Sequence, residues 1–348
     1  MKIIKEKFFE HKGQTVNKYT ATNNNGMIIE VLDLGCIIMS LKVPDKDNLL
    51  TDVVLGYQDP VRYFDNPPYF GAAIGRFSNR IAKGRFLWKD EEIQLETNDG
   101  DNHLHGGFNG FNYRIWECVE SEECLTFRMN SPDGDSNYPG EVDCFVSYTL
   151  TDDNELVINY KVTTPTESIA SLSNHSYFNL NGDGSPSVLN HYIKANSDLF
   201  TEIAPDAIPT GRLLPVEGTP MDFREFKTFG EEIDADYDQL KYTDGYDHNY
   251  VVKEGVDVDV IVYSPATGIQ LELSTDSPGF QIYTGNTIDE SLIGKTGKNY
   301  KRRSGFCLET QFYPDAPNHK DFPQPIVTKN QPQEFETRFK FSIKTIVI

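Results

Sequence analysis

Strict alternation of apolar and polar residues is the feature that most constrains the fold of this chain. In Glu141–Leu150 every second residue is apolar or aromatic, and turn residues follow at 152–154 before the alternation resumes as far as Val162. Because successive side chains of a strand point to opposite faces, a period of two marks a strand buried on one face. The two segments and the turn between them therefore predict a β-hairpin.

Further segments with a strand-like sequence pattern occur along the chain, whereas few segments have the pattern of a helix. Helical periodicity is scarce: Asp59–Phe64 predicts a helical turn, with Asp59 as N-cap before Pro60, and Asp222–Ile233 is the one longer candidate, weakened by Gly230. Many strands joined by short polar turns favour an antiparallel sandwich or barrel. The further predicted strands are Met27–Leu34, Cys36–Val43, Val53–Gly56, Val256–Tyr263, Ile269–Thr275 and Phe335–Ile343.

Charge and cysteine content narrow the function classes. The 348 residues include 53 acidic and 32 basic side chains, for a net charge of −21, which disfavours binding to nucleic acid or an anionic membrane. No apolar run approaches the roughly 20 residues of a membrane-spanning helix. Five cysteines without Cys-x-x-Cys spacing argue against a disulfide framework and a structural zinc site. Because the sequence also has no signal-peptide pattern, we expect a cytoplasmic protein.

Two distant segments suggest acid–base chemistry on a sugar. Ser173–Leu180 places His175, which can exchange a proton near neutral pH, among amide, hydroxyl and aromatic side chains that suit a neutral polyhydroxylated ligand. Glu309 lies in an apolar, strand-like run, where a carboxylate needs either a partner or a function. A partnered structural glutamate is the commoner case. Our hypothesis is nevertheless that His175 and Glu309 face each other and move protons on a bound sugar.

Two segments rich in hydrogen-bonding groups have competing interpretations. Asn79 and Arg80 could bind sugar hydroxyls, or could belong to a basic turn that forms surface ion pairs. His103 and His105 would point the same way in an extended segment, which invites a metal site. The two glycines after His105 fit better a tight turn that brings backbone close to a ligand.

Two further segments supply polar side chains of uncertain role. Asp247 could accept hydrogen bonds from hydroxyl groups, or could form an Asx turn after Gly245. Gln281 and Tyr283 alternate in phase, so one face of their strand could be directed at a ligand.

Six of these segments, taken in order, resemble the aldose 1-epimerase family, whose members are also called galactose mutarotases. Each segment is a weak match alone, but six in the family's order span most of the chain. They are Gly75-Arg76 with Asn79-Arg80-Ile81, Leu104–Gly107, Asn174–Leu180, Gly245 with Asp247–Asn249, Gln281 with Tyr283–Asn286, and Gly305–Gln311.

The resemblance implies an all-β fold: a large antiparallel β-sandwich, or supersandwich, with few short helices, forming a single domain over residues 1–348. It also implies interconversion of the α and β anomers of hexoses such as glucose and galactose without a metal or organic cofactor. His175 would be the general acid, Glu309 the general base, and His105 would stabilise the ring oxygen. Substrate-binding positions carried over by the resemblance are Asn79, Arg80, Tyr177, Asp247 and Gln281. The unexpected His103 leaves open which histidine faces the ligand.

Three alternatives accompany this interpretation. A basic segment before Glu309 could hold the phosphate of a hexose 6-phosphate, although a solvated loop is simpler; its residues are Lys295, Lys298, Lys301, Arg302 and Arg303. A non-catalytic carbohydrate-binding protein could use the same scaffold, and a metal-dependent cupin is the least favoured. We expect a small-molecule sugar as the partner, no nucleic acid or membrane partner, and a monomer or weak homodimer.

Overall fold

The computed structural model describes residues 1–119 and 124–344, and most of its regular structure is β-strand. Strands β1 to β9 are Lys2–His11, Gln14–Thr22, Ile28–Leu32, Ile38–Pro44, Leu50–Asp52, Ala73–Ile74, Arg80–Ile81, Arg85–Trp88 and Glu91–Gln94. Strands β10 to β18 are His103–Leu104, Glu117–Val119, Leu125–Ser131, Val142–Leu150, Glu155–Thr163, Glu167–Ile169, Ser173–Asn174, Tyr192–Ala195 and Leu199–Ile203. Strands β19 to β27 are Pro209–Pro215, Lys227–Thr228, Asp247–Val251, Val260–Tyr263, Ile269–Thr275, Gly279–Tyr283, Cys307–Gln311, Ile326–Thr328 and Gln333–Ile343.

Helices are short throughout the described residues. The α-helix α1 spans Asp238–Thr243, and five 3₁₀ turns occur at Pro60–Phe64, Ala82–Gly84, Phe111–Tyr113, Asp135–Asn137 and Ala316–Asn318. None of the helices in residues 1–119 and 124–344 combines the length and apolar character needed to cross a membrane.

Three larger antiparallel sheets form the framework. A nine-stranded sheet has the order β11-β12-β13-β14-β27-β23-β22-β17-β20, and two five-stranded sheets have the orders β1-β2-β3-β4-β5 and β19-β18-β21-β24-β25. Antiparallel pairing needs only a short connection between neighbouring strands, as between β13 and β14, which residues 151–154 join. The predicted all-β fold with few short helices is confirmed.

The hairpin that dominated the sequence pattern is β13–β14. Its register pairs Cys144 with Val162 and Val146 with Tyr160, and its alternating apolar side chains are buried. The last strand, β27, lies between β14 and β23, so the C-terminal segment occupies the middle of the sheet. Its predicted apolar face is buried up to Phe341, but Ile343 is 43% exposed because the strand ends there at the surface.

One continuous apolar cluster joins the N-terminal sheet to the nine-stranded sheet. Tyr19 from β2 contacts Phe127 from β12 edge to face at 5.3 Å. The hydroxyl of Tyr148, on β13, donates a hydrogen bond of 2.7 Å to the carbonyl of Cys36. Packing of two sheets over a shared core is the arrangement of a β-sandwich.

The predicted helix over Asp222–Ile233 is wrong. Its backbone groups pair with other segments instead of with each other: the Ala195 amide donates to the Phe223 carbonyl at 2.7 Å, and the Phe229 amide donates to the His191 carbonyl at 3.1 Å. Both phenylalanine rings are buried in the core. Tertiary packing therefore holds the segment in irregular loops with the short strand β20, and α1 begins only after it.

The structure confirms the predicted turn at Asp59–Phe64 and the hairpin β22–β23, but it displaces the strand predicted at Val53–Gly56. The turn at Asp59–Phe64 is confirmed, with the Asp59 carboxylate accepting a hydrogen bond of 3.0 Å from the Val61 amide. The strand predicted at Val53–Gly56 is displaced: regular pairing ends at β5, and Val54 forms only an isolated bridge to Phe178. The hairpin β22–β23 is confirmed, although β22 begins four residues after the predicted Val256.

Candidate active site

A cavity of about 220 Å³ collects side chains from strands and loops that are far apart in the sequence. This is smaller than the roughly 300–1,000 Å³ of sites for drug-sized ligands, so it suits a ligand of about monosaccharide size. Seven of the eight predicted site residues line it: Asn79, Arg80, His105, His175, Tyr177, Asp247 and Glu309.

His175 follows the two-residue strand β16, and its backbone is fixed from both sides. Its amide donates to the Ala72 carbonyl at 2.9 Å, and its carbonyl accepts from the Gly71 amide at 3.0 Å. The side-chain amide of Asn174 donates to the Gly71 carbonyl at 2.9 Å. The polar neighbours in this motif thus anchor the turn that carries the imidazole.

Glu309 is the central residue of β25, and it faces His175 across the cavity. Its Oε2 lies 3.6 Å from Nε2 of His175, and both side chains are almost fully buried. Oε2 makes no hydrogen bond in the described structure. An unsatisfied buried carboxyl oxygen destabilises the folded state, which is the expected signature of a group kept for chemistry or ligand binding.

Burial shifts the pKa values of Glu309 and His175 in opposite directions. It raises the pKa of Glu309 well above its ordinary value, an effect that the negative charge of Asp247 increases and Arg80 opposes. It lowers the pKa of His175 to about 4. Burial therefore favours the uncharged form of each group, a neutral imidazole beside a protonated carboxyl, and these two forms together hold one proton.

His105 presents a fixed donor to the cavity. Its Nδ1 accepts a hydrogen bond of 3.1 Å from the Asn79 amide, and its own amide donates to the Asn79 carbonyl at 3.1 Å. Because Nδ1 accepts, the neutral ring carries its hydrogen on Nε2. Burial, together with the nearby His175 and Arg80, lowers the pKa of His105 well below its ordinary value, so the ring is a neutral N–H donor.

His103 has a different environment from His105, because the segment is not extended as the metal-site alternative required. Its Nδ1 lies 2.7 Å from the Glu96 carbonyl and its Nε2 lies 2.6 Å from the Tyr138 hydroxyl, outside the cavity lining. The reason is local: His105 adopts a left-handed φ of +52°, which ends the extended segment after β10. His103 is a buried structural residue, and His105 faces the cavity.

The charged and amide groups beside the couple form a connected chain. Arg80 Nε donates to Asp99 at 2.8 Å, and Arg80 also lies 3.9 Å from Asp247. Asp247 accepts a hydrogen bond of 2.6 Å from Gln281, which in turn accepts one of 3.3 Å from Gln311. Gln281, the eighth predicted residue, thus lies behind Asp247, where it orients the carboxylate.

Three cavity side chains are close enough together to hold a metal ion, but one of them does not offer the lone pair that a metal needs. His105, His175 and Glu309 each offer one ligand atom, and these atoms lie within 4.8 Å of one another. A metal binds a nitrogen lone pair, but the Asn79 amide occupies Nδ1 of His105 and leaves Nε2 as an N–H group. This tautomer suits an oxygen acceptor on a ligand better than a cation.

Basic residues in the segment before Glu309 form ion pairs and hydrogen bonds with groups elsewhere in the protein. Lys295 donates to Asp52 at 2.7 Å and to the Met39 carbonyl, and Arg303 donates to Asp234 at 2.9 Å. None of the five basic residues of this segment lines the cavity. The phosphate site suggested by the sequence therefore has no support from their positions.

Several cavity residues were not among the predicted site residues. Tyr69, Asp99 and Thr287 line the cavity from loops, and Tyr283 joins them from β24. Only Tyr283 had a signal, its alternation in phase with Gln281. Loop positions have no periodicity, so the sequence offered no means of assigning the other three.

Comparisons with known proteins identify the family to which this sequence is similar. The family model described as aldose 1-epimerase matches residues 17–340. Galactose mutarotase from Rattus norvegicus is 40% identical over 333 residues, covering 95% of both chains. Aldose 1-epimerase from Escherichia coli (strain K12) is 35% identical over 335 residues, covering 94% of this chain and 96% of its own.

Solved structures show the same fold. An aldose epimerase homologue from C. elegans superposes with a TM-score of 0.85 at 29% identity, covering 94% of this chain and 98% of its own. A galactose 1-epimerase from Lactobacillus acidophilus superposes with a TM-score of 0.87 at 24% identity, covering 99% of both. The sequence matches and the shared supersandwich together place this chain in the aldose 1-epimerase family of isomerases.

Proposed function

We propose that the protein interconverts the α and β anomers of free hexoses, with His175 as general acid and Glu309 as general base. The observation that carries this proposal is the pairing of two buried proton-transfer groups, 3.6 Å apart, in a cavity of monosaccharide size. The names of the related proteins, which include galactose mutarotase, support a hexose as the substrate.

The reaction requires two proton transfers and one bond cleavage. Glu309 removes the proton from the anomeric hydroxyl while His175 protonates the ring oxygen, and the bond between C1 and the ring oxygen breaks to give the open-chain aldehyde. Rotation about the C1–C2 bond then presents the other face of the carbonyl. Ring closure reverses both transfers and yields the other anomer. A positioned acid or base typically contributes about 10²–10⁴-fold to the rate.

The single proton of the pair suits this cycle. Burial favours that proton on Glu309. Its transfer to His175 gives the carboxylate base and imidazolium acid that ring opening requires. Because ring closure exchanges the two roles, the pair ends each turnover with the same proton count and needs no exchange with solvent.

The surrounding groups would hold the sugar and stabilise its ring oxygen. The Nε2–H of His105 is a neutral donor inside the cavity, suited to an oxygen that gains negative charge. Arg80 and Asn79 offer donors, and Asp247 accepts hydrogen bonds from hydroxyl groups. The ring of Tyr177 lies beside His175, with centroids 5.0 Å apart and the planes tilted by 31°, and it lines the cavity.

The charge of the cavity favours free sugars over phosphorylated ones. Its described lining carries one guanidinium, Arg80, against three carboxyl groups, those of Asp99, Asp247 and Glu309. Arg80 is already engaged by two of them. A phosphate dianion would meet repulsion here, so we expect hexose 6-phosphates to be poor substrates.

Polarimetry of freshly dissolved α-glucose and α-galactose tests the function. We expect the protein to accelerate equilibration of at least one sugar, and Glu309→Gln and His175→Ala each to lower kcat by about 10²–10⁴-fold. His11→Ala is the matched control, because His11 lies on β1 outside the cavity and its loss should leave the rate unchanged.

Three results would contradict parts of the proposal. Sugar binding without faster anomer exchange would indicate a carbohydrate-binding protein on this scaffold. Near-normal turnover by folded Glu309→Gln or His175→Ala would overturn the role assignment. Faster equilibration of glucose 6-phosphate than of glucose would favour the phosphorylated substrate. The cytoplasmic location and the monomeric or weakly dimeric state expected from the sequence stay predictions.

A further inference from the structure

The ring of Tyr69 lies against both imidazoles of the cavity. Its centroid is 4.8 Å from that of His105, edge to face at 61°, and 5.7 Å from that of His175, stacked at 28°. The two imidazoles are themselves 5.1 Å apart at 81°. Tyr69 is thus a third ring in contact with both nitrogen heterocycles that the proposed reaction uses.

The imidazole of His175 has few unoccupied directions. The Tyr177 ring lies 5.0 Å from it, tilted by 31°, and the Tyr283 ring approaches it edge to face at 6.4 Å. Its Nδ1 is 3.5 Å from the Cys307 sulfur. His105, Glu309 and Tyr69 are its remaining neighbours. Tyr69 lies in the loop that precedes β6.

The backbone of Tyr69 is held in a conformation that aromatic residues rarely adopt. Its φ is +61°, in the left-handed region that favours glycine. The Tyr69 amide donates to the Asn66 carbonyl at 2.9 Å, and the Ala72 amide donates to the Tyr69 carbonyl at 3.0 Å. Asn66 also binds both backbone groups of Phe70 through its side chain. Strained residues that persist in a well-braced turn are concentrated at functional sites.

The same turn carries the backbone bonds of His175. Gly71 and Ala72, two and three residues after Tyr69, donate to and accept from the His175 backbone at 3.0 and 2.9 Å. One segment, 66–72, therefore fixes both the main chain of His175 and a ring that packs on its side chain. This double attachment is more than a space-filling tyrosine would require.

We propose that Tyr69 is a positioning residue that holds the His105 and His175 rings in the orientation needed for proton transfer to the sugar. The terminal torsion of a histidine has only a broad preference of its own, so packed neighbours such as Tyr69 must set the orientation of each ring. A displacement of about 1 Å at a reacting group can cost about 10²-fold in rate. This inference rests on the proposed function and deepens it.

Replacement by glycine separates positioning from folding. Tyr69→Gly removes the ring but retains a residue that adopts positive φ without strain, so the turn at 66–72 can still form. We expect kcat to fall about tenfold or more with KM changed much less, because misoriented rings affect the transition state more than ground-state binding. Tyr69→Phe keeps the ring and should recover most of the lost kcat.

Two further measurements make the test specific. Tyr113→Phe is the matched control: Tyr113 interacts with the Tyr69 hydroxyl but does not line the cavity, so its kinetics should equal those of the wild type. In histidine-selectively ¹⁵N-labelled protein, Tyr69→Gly should broaden or shift the ring nitrogens of His105 and His175, and Tyr69→Phe should leave them nearly unchanged. The spectra need no catalytic activity, so they test positioning even if the wild type proves inactive.

Each remaining outcome counts against the inference. A normal kcat in folded Tyr69→Gly with unchanged imidazole resonances would show that the ring positions nothing. A rise in KM alone would make Tyr69 a substrate-binding residue. If Tyr69→Phe lost as much kcat as Tyr69→Gly, the hydroxyl, and not the ring, would be the functional group.

Discussion

The proton shared by His175 and Glu309 is the residue-scale feature from which the proposed chemistry follows. An imidazole in water would accept a proton near pH 6.5, and a carboxyl group would lose one near pH 4.3. Burial reverses this order here, lowering one pKa and raising the other. The pair therefore holds its single proton between the lowered pKa of His175 and the raised pKa of Glu309, because the second proton is added at the former and the first is lost at the latter.

The pH dependence of kcat/KM should reflect this reversal. Because the pKa of His175 is lowered to about 4, the neutral ring persists below pH 6 and the acidic limb should lie near pH 4. The rate should change less than about twofold between pH 7 and 5, whereas protonation of an unperturbed histidine of pKa 6.5 would lower it about 25-fold over the same interval. Polarimetry corrected for spontaneous mutarotation, with circular dichroism confirming the fold at each pH, measures this. An acidic limb centred near pH 6.5 would contradict it.

At the residue scale, the sequence pointed to cavity-lining residues where a side chain was chemically out of place. Glu309 could be singled out because a carboxyl group in an apolar run is energetically anomalous, and His175 because its neighbours are hydrogen-bonding groups. The environment of Gln281 could not be inferred, because whether an amide touches ligand or supports Asp247 depends on a separation of a few ångströms across β21 and β24. Tyr69 carried no sequence signal, since its role follows from a turn brought against His175 only in three dimensions.

At the scale of elements, period two predicted the hairpins because each strand has one buried and one exposed face. The pattern failed at Asp222–Ile233, where spaced aromatic residues imitate a helical face. There the backbone finds its hydrogen-bond partners in other segments, such as the His191 and Ala195 peptide groups, which no local pattern can anticipate.

The turn after β10 gives an element-scale prediction. Gly106 has a φ of +87°, and a Cβ atom there would lie 1.9 Å from the Gly75 carbonyl oxygen. The Gly106 turn and the Gly75 carbonyl are both main chain, so neither can move aside without disturbing the backbone. Gly106→Ala should therefore destabilise the protein by more than about 2 kcal/mol, because positive-φ strain and overpacking act together. It should also displace His105 and lower kcat. Urea unfolding and polarimetry measure the two effects.

Gly255→Ala is the matched control for that prediction. Its φ of +79° imposes similar backbone strain, but no atom lies within 4 Å of the added Cβ. We expect a loss of about 1–2 kcal/mol and normal turnover. Equal losses in the two variants would show that the close approach to Gly75 does not constrain the His105 turn.

At the scale of the whole molecule, the order of strands in space bears on the single domain expected over residues 1–348. The last strand, β27, pairs with β14 on one side and β23 on the other, so residues from the middle and the end of the chain form one sheet. Phe178, three residues after His175, packs on Phe339 of β27 at 5.1 Å. The turn that carries His175 therefore rests on the centre of the sandwich.

This continuity predicts one cooperative unfolding transition. If the sandwich is a single domain, near-ultraviolet circular dichroism, far-ultraviolet circular dichroism and mutarotase activity should be lost with the same urea midpoint. Phe339→Ala, which leaves a cavity beneath Phe178, should lower the free energy of unfolding by about 3–5 kcal/mol and shift all three midpoints together. Loss of activity in a separate, earlier transition, with far-ultraviolet signal retained, would indicate that the part carrying His175 unfolds independently. The chain would then comprise at least two units, contrary to the single-domain expectation.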